Sequence, residues 1–323
     1  MPNYLWTQQG TNPMCGIVGI MLTDGVGPIG AYLIDSLEAL QHRGKDSVGI
    51  AIYNAGYAET DTIKLHVLTR DVVGALSKVS TAIASVHGDI RNINMGLYLK
   101  EGYSYDSIEV VYKGSIKHLY DAIESTGVAK VVSIGKRVLI HKYTTTVREF
   151  NKIFTISSLH GSHGIGHVRF STESTVDIFH AHPFQDIENP DITVVHNGQI
   201  TNYWKLRSLL EMKGIKFLTD NDSELIAHYI AHKVSKGLSL EVALKDAVNA
   251  LEGPFAFIIA TPDEIGIASD RLGLRPLVIG ISDNIRVAVS EEGALQVLES
   301  KYNVRFNKKQ LNSGEVVVWR LKR

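Results

Sequence analysis

Residues 14–22 read MCGIVGIML, and this stretch gives the first expectation about the fold. It places the chain's single cysteine, Cys15, directly before an apolar run punctuated by glycines, which is typical of a buried β-strand. One cysteine cannot form an intramolecular disulfide, and free thiols are compatible with a reducing compartment. The sequence therefore predicts a cytoplasmic protein with one free thiol at the start of a core strand.

Composition and charge exclude several classes of protein. The chain has 323 residues, a formal net charge of −1 and 44% hydrophobic residues, which gives no electrostatic reason for a nucleic-acid partner or an anionic membrane. No apolar run approaches the roughly 18 residues of a spanning helix. The "HAH" histidines, His180 and His182, lack a third ligand, and no phosphate-binding loop occurs. The sequence predicts neither a metal nor another cofactor.

The periodicity of the chain predicts an α+β fold. Short β-rich runs such as VGIAIY (48–53) and FAFIIATP (255–262) look buried on both faces, and tight polar connections such as SDN (282–284) favour antiparallel neighbours. Helical stripes interrupt them, for example Leu33, Ile34, Leu37 and Leu40. Two-sided buried sheets with amphipathic helices predict a four-layer helix–sheet–sheet–helix (αββα) sandwich.

Residues 60–150 change in character and predict an inserted domain. A strand, IKLHVLT, is followed by a helical stripe of Leu76, Val79, Ile83 and Val86. Two strands, the short helix HLYDAIEST and the strand AKVVSIGKRVLIH complete a βαββαβ, ferredoxin-like order. We expect this segment to interrupt the sandwich, which would then comprise residues 15–58 and 155–323.

Six short motifs lie in the two outer segments and carry a family resemblance. They are MCGIVGI, LQHRGKDSVGIAIY, GHVRFST, AHPF, VVHNGQITNYWKLR and DNDSE. In this order they resemble the class II glutamine amidotransferases, which are amino-terminal-nucleophile (Ntn) hydrolases. The chain looks most similar to the stand-alone glutaminase subunits of archaeal-type glutamate synthase and of N-methylglutamate synthase. The resemblance implies an Ntn-hydrolase sandwich that releases ammonia from L-glutamine.

The resemblance also implies the residues of the reaction. Cys15 would attack the glutamine side-chain amide as a thiolate. Asn197 and the backbone N–H of Gly198 would form the oxyanion hole, and one such donor contributes about 3–4 kcal/mol. From the residues alone, Cys15 fits a buried core cysteine, and the Asn-Gly pair fits a hairpin turn, which is compatible with a role as donors.

Further motif positions are implied to bind the substrate. Arg169, assisted by Thr172, would grip the α-carboxylate as a bidentate fork. Asp222 would pair with the α-ammonium, although its place before an apolar helix also fits an N-cap. Arg43 would shape the glutamine loop. His182 belongs to the same site in a structural role, and Phe170 stands where some branches have a tryptophan or tyrosine.

The first fourteen residues depart from the family pattern. While they are attached, the α-amine of Cys15 is an amide and cannot act as a base. Either residues 1–14 are a propeptide that is cleaved, or translation begins at Met14 and ordinary methionine removal exposes Cys15.

The chain leaves no segment for an ammonia acceptor, so we expect a separate synthase subunit as partner. The insert resembles an ACT domain, with a loop at Asp71–Gly74 where such domains often bind an amino acid, and its sheet edges could pair in a homodimer. Val73 stands where that loop usually has a proline. Two alternative functions remain open: a catalytically inactive, amino-acid-sensing module, and a cysteine acylase of the same superfamily.

Overall fold

The computed structural model describes residues 14–54, 61–99, 102–170 and 175–322. The predicted prefix up to residue 13 and the predicted carboxylate-binding Thr172 lie outside these ranges. In chain order the elements are β1 (Gly16–Leu22), α1 (Ile29–Leu40), β2 (Ser47–Tyr53), β3 (Thr62–Arg70), α2 (Ala75–Ser85), β4 (Asp89–Leu99), β5 (Tyr103–Val111), α3 (Ile116–Glu124), β6 (Ala129–Gly135), β7 (Val138–Tyr143), α4 (Val147–Phe154), β8 (His163–Arg169), β9 (Phe184–Gln185), β10 (Thr193–Gly198), α5 (Tyr203–Glu211), α6 (Asp222–Ser235), α7 (Leu240–Ala250), β11 (Phe255–Ala260), β12 (Glu264–Ser269), β13 (Val278–Ile281), β14 (Ile285–Val289), α8 (Glu292–Tyr302), β15 (Asn307–Gln310) and β16 (Val316–Arg320).

Two antiparallel sheets form the centre of the molecule. The large sheet has the strand order β15-β13-β14-β1-β8-β2-β7, and the smaller sheet has the order β16-β12-β11-β10-β9. Apolar residues of α1, α4 and α8 cover the outer face of the large sheet, and those of α5, α6 and α7 cover the outer face of the smaller one. The inner faces of the two sheets share a third apolar cluster. This mixed α/β arrangement has the predicted αββα layers.

Strand β11 shows how the sequence specifies both faces of a sheet. Phe257 and Ile259 point into the helix-covered cluster, whereas Ala256 and Ile258 point into the cluster between the sheets. Successive side chains of a strand alternate between faces, so a strand buried on both sides has to be apolar throughout. The continuous run FAFIIA is therefore a consequence of its central position.

The insert forms a third antiparallel sheet with the order β4-β5-β3-β6. Helices α2 and α3 cover one face of this insert sheet, and its elements follow each other in the predicted βαββαβ order. One position of the predicted α2 stripe is wrong: Leu76 is 39% exposed, and Ala75 packs in the core instead. Leu68, Tyr105 and Val132 on the other face contact Ile178. The insert is therefore packed against the rest of the chain.

The predicted C-terminal boundary of the insert is wrong. Strand β7, which the sequence prediction assigned to the insert within 60–150, pairs with β2 at the edge of the large sheet, with Tyr53 opposite Val138. Helix α4 likewise contributes Phe150 to the core beneath α1. The run AKVVSIGKRVLIH was taken as one strand, but the chain turns at Lys136–Arg137 and splits it between two sheets. The insert sheet itself ends at Gly135.

None of the helices in the described ranges is long and apolar enough to cross a membrane.

The close packing of Gly30 in helix α1 leads to a testable prediction about stability. A Cβ on Gly30 would lie 1.9 Å from the Ile156 carbonyl oxygen, whereas a Cβ on Gly293 has no atom within 4 Å. Both glycines are second residues of helices, α1 and α8. We expect Gly30→Ala to lower the free energy of unfolding by about 1–3 kcal/mol through overpacking. The matched Gly293→Ala change should raise it by about 0.5–1 kcal/mol. Urea unfolding of both variants measures the contrast, and equal effects would contradict the close packing at Gly30.

Candidate active site

An open cavity of about 490 Å³ lies where strands of both central sheets end. Its lining includes five of the residues predicted for the site: Cys15, Arg169, His182, Gly198 and Asp222. The register of the large sheet explains the first two. Gly16 of β1 lies opposite Val168 of β8 in an antiparallel pair, so the residue before Gly16 and the residue after Val168 meet at the same edge.

The turn after α1 supports the backbone on both sides of this edge. Arg43 is buried, its Nε donates to the Cys15 carbonyl oxygen at 2.8 Å, and its guanidinium pairs with Glu291. A Cβ on Gly44 would lie 2.3 Å from the Arg169 carbonyl carbon. Arg43 does not line the cavity but contacts the backbone of Cys15, and its predicted role in shaping the glutamine loop stays a prediction. It is a positioning residue for Cys15.

The thiol of Cys15 lies inside the cavity wall and is partly buried. Its Sγ donates to the Phe170 carbonyl oxygen at 3.6 Å. Burial raises the pKa of the Cys15 thiol, and the nearby charges of Arg169 and Arg43 oppose this rise only in part. The thiolate is the nucleophilic form of cysteine, so a thiol with a raised pKa requires a base to react near neutral pH.

Arg169 lies at the end of β8 with its side chain directed into the same region. Its Nη1 donates to the Thr175 carbonyl oxygen at 2.9 Å, and the residue is 3% exposed. Burial lowers the pKa of the guanidinium, and the charges of Cys15, Asp177 and Asp46 oppose this. An arginine stays protonated under such conditions, so it presents a fixed cation to the cavity.

Asp222 and the helix cap are separate residues in the structure. Asn221 caps α6, with its Oδ1 accepting from the Ser223 N–H at 2.9 Å. Asp222 instead accepts the Ile200 N–H through Oδ2 at 2.8 Å, and its side chain is 24% exposed to the cavity. The cap interpretation of Asp222 is therefore wrong, because its neighbour fills that role. Asp222 links the segment after β10 to the start of α6.

Asn197 and Gly198 end β10, where Gly198 lines the cavity and the buried Asn197 does not. Gly198 has φ +136°, and a Cβ there would lie 2.0 Å from the Pro254 carbonyl oxygen, so only glycine fits without strain. The buried Nδ2 of Asn197 has no hydrogen-bond partner among the described residues. A buried amide donor without a partner is costly, which points to a function.

Three buried histidines form a polar layer at the cavity wall, where His182 and His196 line the cavity and His167 lies behind them. The His167 and His182 rings stack with centroids 3.8 Å apart, and His182 Nε2 and His196 Nδ1 each lie 2.9 Å from Ser223 Oγ. Burial lowers the pKa of all three, that of His167 to about 3, so they are neutral near pH 7. The motif histidine His196 and Ser223 were not predicted as site residues.

A charged cluster supports the helix that carries Asp222. His228 lies 2.7 Å from Asp186 and 3.2 Å from Glu224, and Glu224 also accepts the Leu218 and Thr219 N–H groups. These side chains are almost fully buried. Burial alone lowers the pKa of His228, but the hydrogen bonds to Asp186 and Glu224 outweigh it and raise the pKa to about 9. The loop before α6 is thus fixed by a buried ion cluster.

Comparisons with a family model and with known proteins all indicate the same family. A family model described as a glutamine amidotransferase domain matches residues 167–297. A protein of Methanothermobacter thermautotrophicus named "Putative glutamine amidotransferase" is 40% identical over 95% of this chain and 100% of that protein. The glutamine amidotransferase-like protein GlxB of Rhizobium meliloti is 31% identical over 87% of this chain and 91% of that protein.

Solved structures show the same fold. The glutamine phosphoribosylpyrophosphate amidotransferase of Bacillus subtilis, solved with ADP and GMP, superposes with a TM-score of 0.59 at 23% identity. The match covers 95% of this chain and 47% of that one. This chain therefore spans about half the length of that protein.

The charged cluster predicts an alkaline loss of stability. The folded-state pKa of His228, about 9, is above the ordinary value of 6.5, so its contribution is complete below about pH 6.5 and is lost as pH rises through 9. The shift corresponds to at most about 3 kcal/mol. We expect an NMR titration of the His228 ring to have its midpoint near pH 9, with the free energy of unfolding falling over the same range.

Asp186→Asn should move that midpoint back toward pH 6.5, because it removes the shorter of the two ion pairs. Asp263→Asn, at an acid 47% exposed elsewhere, is the matched control and should leave the midpoint unchanged. A His228 midpoint near pH 6.5 in the unmodified protein would contradict the ion cluster.

Proposed function

The chain belongs to the glutamine amidotransferase family, and on this premise we propose that it hydrolyses L-glutamine to glutamate and ammonia at the Cys15 cavity. The observation that carries the proposal is the meeting of a thiol, a buried arginine and an aspartate at one cavity. A zwitterionic amino acid needs an anion-binding and a cation-binding group, and Arg169 and Asp222 supply them.

The proposed reaction starts at the side-chain amide of the substrate. Cys15 Sγ attacks the amide carbon, the C–N bond breaks, and the nitrogen leaves as ammonia after taking up a proton. Water then cleaves the glutamyl thioester, which releases glutamate and restores the thiol. The partnerless amide of Asn197 and the N–H of Gly198 are the proposed donors to the oxyanion of each tetrahedral intermediate.

The proposed base is the α-amine of Cys15 itself. A terminal α-amine has a pKa of about 7.7–8.0 and accepts a proton near neutral pH. The raised pKa of the thiol makes such a base necessary, and the buried histidines nearby have lowered pKa values. While Met14 is attached this nitrogen is an amide, so we propose that activity requires removal of residues 1–14.

Arg169 and Asp222 are the proposed clamps for the α-carboxylate and α-ammonium. Thr172 is proposed to assist Arg169, and His182 to hold its wall of the cavity through Ser223. Arg43 acts on the nucleophile rather than on the substrate, through its bond to the Cys15 carbonyl.

The ammonia acceptor is proposed to be a separate subunit of a glutamate synthase-like enzyme. Free ammonia would be protonated in solution, which favours transfer to a docked partner. The insert is proposed to act as an ACT-like regulatory domain. Gly74, with φ +84°, and Asp71 mark its candidate amino-acid loop, and the exposed edge of β4 is the candidate dimer contact.

The base mechanism predicts the active form of the protein. Protein that begins at Cys15 should release ammonia and glutamate from glutamine. Protein that retains Met14 should not, because the nitrogen of Cys15 is then an amide, whose delocalised lone pair does not accept a proton. Intact-mass analysis paired with both product assays measures this.

Cys15→Ala in the trimmed form is the control for contaminating glutaminase and should abolish the release of both products. Full turnover by protein whose mass still includes residues 1–14 would contradict the role of the amine.

The proposed roles of Arg169 and Asp222 predict losses of kcat/KM that depend on which charged group the substrate carries. Asp222→Asn removes one member of a charge pair, which costs about 2–5 kcal/mol, or about thirtyfold to several thousandfold in kcat/KM. Arg169→Lys keeps the charge but loses the bidentate fork. We expect Arg169→Lys to impair glutamine far more than 4-aminobutanamide, which lacks the α-carboxylate. Asp222→Asn should impair glutamine far more than glutaramic acid, which lacks the α-amine.

Arg271→Lys, at an exposed arginine, is the matched control and should affect all substrates equally little. A loss of the same size with the full and the truncated substrates would mean that the two residues act only on folding.

A further inference from the structure

A second cavity, of about 350 Å³, lies between the insert and the central sandwich. Its volume falls in the range of small-molecule sites, about 300–1,000 Å³. Elements α3 and β6 of the insert form one wall, and β7, β9 and the loop at 218–219 form the other. It shares no lining residue with the Cys15 cavity. We call it the interdomain cavity.

The strongest feature of the interdomain cavity is a buried ammonium. Lys142 is 6% exposed, its Nζ donates to the Ala181 carbonyl oxygen at 3.0 Å, and the same atom lies 5.4 Å from the centre of the Phe184 ring. Among the described residues no carboxylate lies within ion-pair distance of Nζ. Burial lowers its pKa to about 8, so it is mostly charged at neutral pH.

The Lys142 ammonium has hydrogen-bond donors that its described contacts do not use. An ammonium has three donors, and the described contacts of Lys142 use one of them. A buried ammonium is expensive, and the charges of Glu224 and Asp177 stabilise it only from beyond ion-pair distance, so an anion bound directly in the cavity would relieve the cost further. Lys130, at the rim with its Nζ 5.5 Å from the centre of the Phe179 ring, adds a second cation to the same cavity.

The opposite wall limits which anion fits. Glu124 accepts the Val131 N–H and keeps further acceptor capacity, and burial raises its pKa. Asp177 and Glu224 also line the cavity. A dianion such as phosphate would face three carboxylates, whereas a monoanion that carries a hydrogen-bond donor would satisfy Lys142 and Glu124 together.

We propose that the interdomain cavity binds a small organic carboxylate that also carries a hydrogen-bond donor. The carboxylate contacts Lys142 and Lys130, and the donor contacts Glu124. The ligand thereby joins the insert to the sandwich, because Glu124 and Lys130 belong to the insert and Lys142 to the large sheet.

A ligand in the interdomain cavity acts on the Cys15 cavity through the adjacent residues Ala181 and His182. The carbonyl group that Lys142 holds belongs to Ala181, and the next residue, His182, lines the Cys15 cavity. The His182 carbonyl in turn lies against Gly49, the strand partner of Lys142, where a Cβ would be 1.9 Å from its oxygen. A carboxylate bound to the two remaining Lys142 donors pulls the ammonium, from which Ala181 accepts, toward the cavity, so it changes how the His182 segment is held.

Calorimetric titration of the full chain tests the binding, in a Cys15→Ala background that prevents turnover. The probes are L-serine, L-aspartate, lactate, acetate and inorganic phosphate. We expect heat from at least one of the first three and none from phosphate. Lys142→Met should weaken that binding about tenfold to a hundredfold. Lys113→Met, at an insert lysine whose side chain is 80% exposed, is the matched control and should not.

Two further variants separate the sites and guard against misfolding. Arg169→Lys, in the other cavity, should leave the heat unchanged, and Glu124→Gln should reduce it even if Lys142→Met fails to fold. Absence of heat from every carboxylate would overturn the proposal. So would heat that Arg169→Lys abolishes and Lys142→Met and Glu124→Gln do not.

The coupling rests on the proposed glutaminase function and is tested separately. The probe that binds should change the KM for glutamine in the active protein and leave it unchanged in Lys142→Met. If glutamine is not hydrolysed at all, the proposed function fails while the calorimetric result still decides the binding site. An unchanged KM in active protein saturated with that probe would overturn the coupling.

Discussion

The antiparallel register between β1 and β8 is the constraint on which the candidate active site depends. Gly16 lies opposite Val168, and this pairing alone brings Cys15, near the start of the chain, to Arg169. A slip of one residue would put larger side chains where Gly16 and Gly19 now lie, and a Cβ at these positions would be 2.7 Å from Val168 Cγ2 and 2.9 Å from Ile258 Cγ2. Packing across the whole sheet therefore fixes the place of one thiol.

The polar layer at the cavity wall shows how neutral groups fix geometry inside an apolar core. Ser223 has one hydroxyl proton and lies near His182, His196 and the Asp222 carboxylate, which is 3.4 Å away. If the proton points to Asp222, which can only accept, both histidines have to donate to the hydroxyl oxygen. That choice fixes both tautomers and leaves the lone pairs of His182 Nδ1 and His196 Nε2 without a partner in the described part of the chain. One serine thus couples three side chains that line the cavity.

The sequence predicts features that depend on local pattern, and it misses those that depend on long-range pairing. Alternation and helical stripes predicted the αββα layers, because burial on a sheet or helix face imposes a period on the residues. The motifs indicated Cys15, Arg169 and Asp222, which do share a cavity. The contacts of Arg43 could not be predicted, because its partner Glu291 is distant in the chain and only the fold brings the two together. Asp222 and Asn221 both suit a helix start, so the sequence could not assign the cap.

The position of the insert explains how a folded unit interrupts the sandwich without disturbing the site. The chain leaves the large sheet after Tyr53 and returns at Val138, which lies directly opposite it in the β2–β7 pair. The insert thus occupies the place of a hairpin loop. Its two ends are already held together by the strand pair, so the insertion adds little loop-closure entropy cost. Asp191 fixes the return by accepting the N–H groups of Lys136 and Arg137, and Arg137 donates to Asn54. Because the same two strands carry Gly49 and Lys142, the connection that tolerates the insert also places it against the segment of His182. An inserted domain at this edge is consequently in a position to act on the Cys15 cavity, whereas one in a distant surface loop would not be.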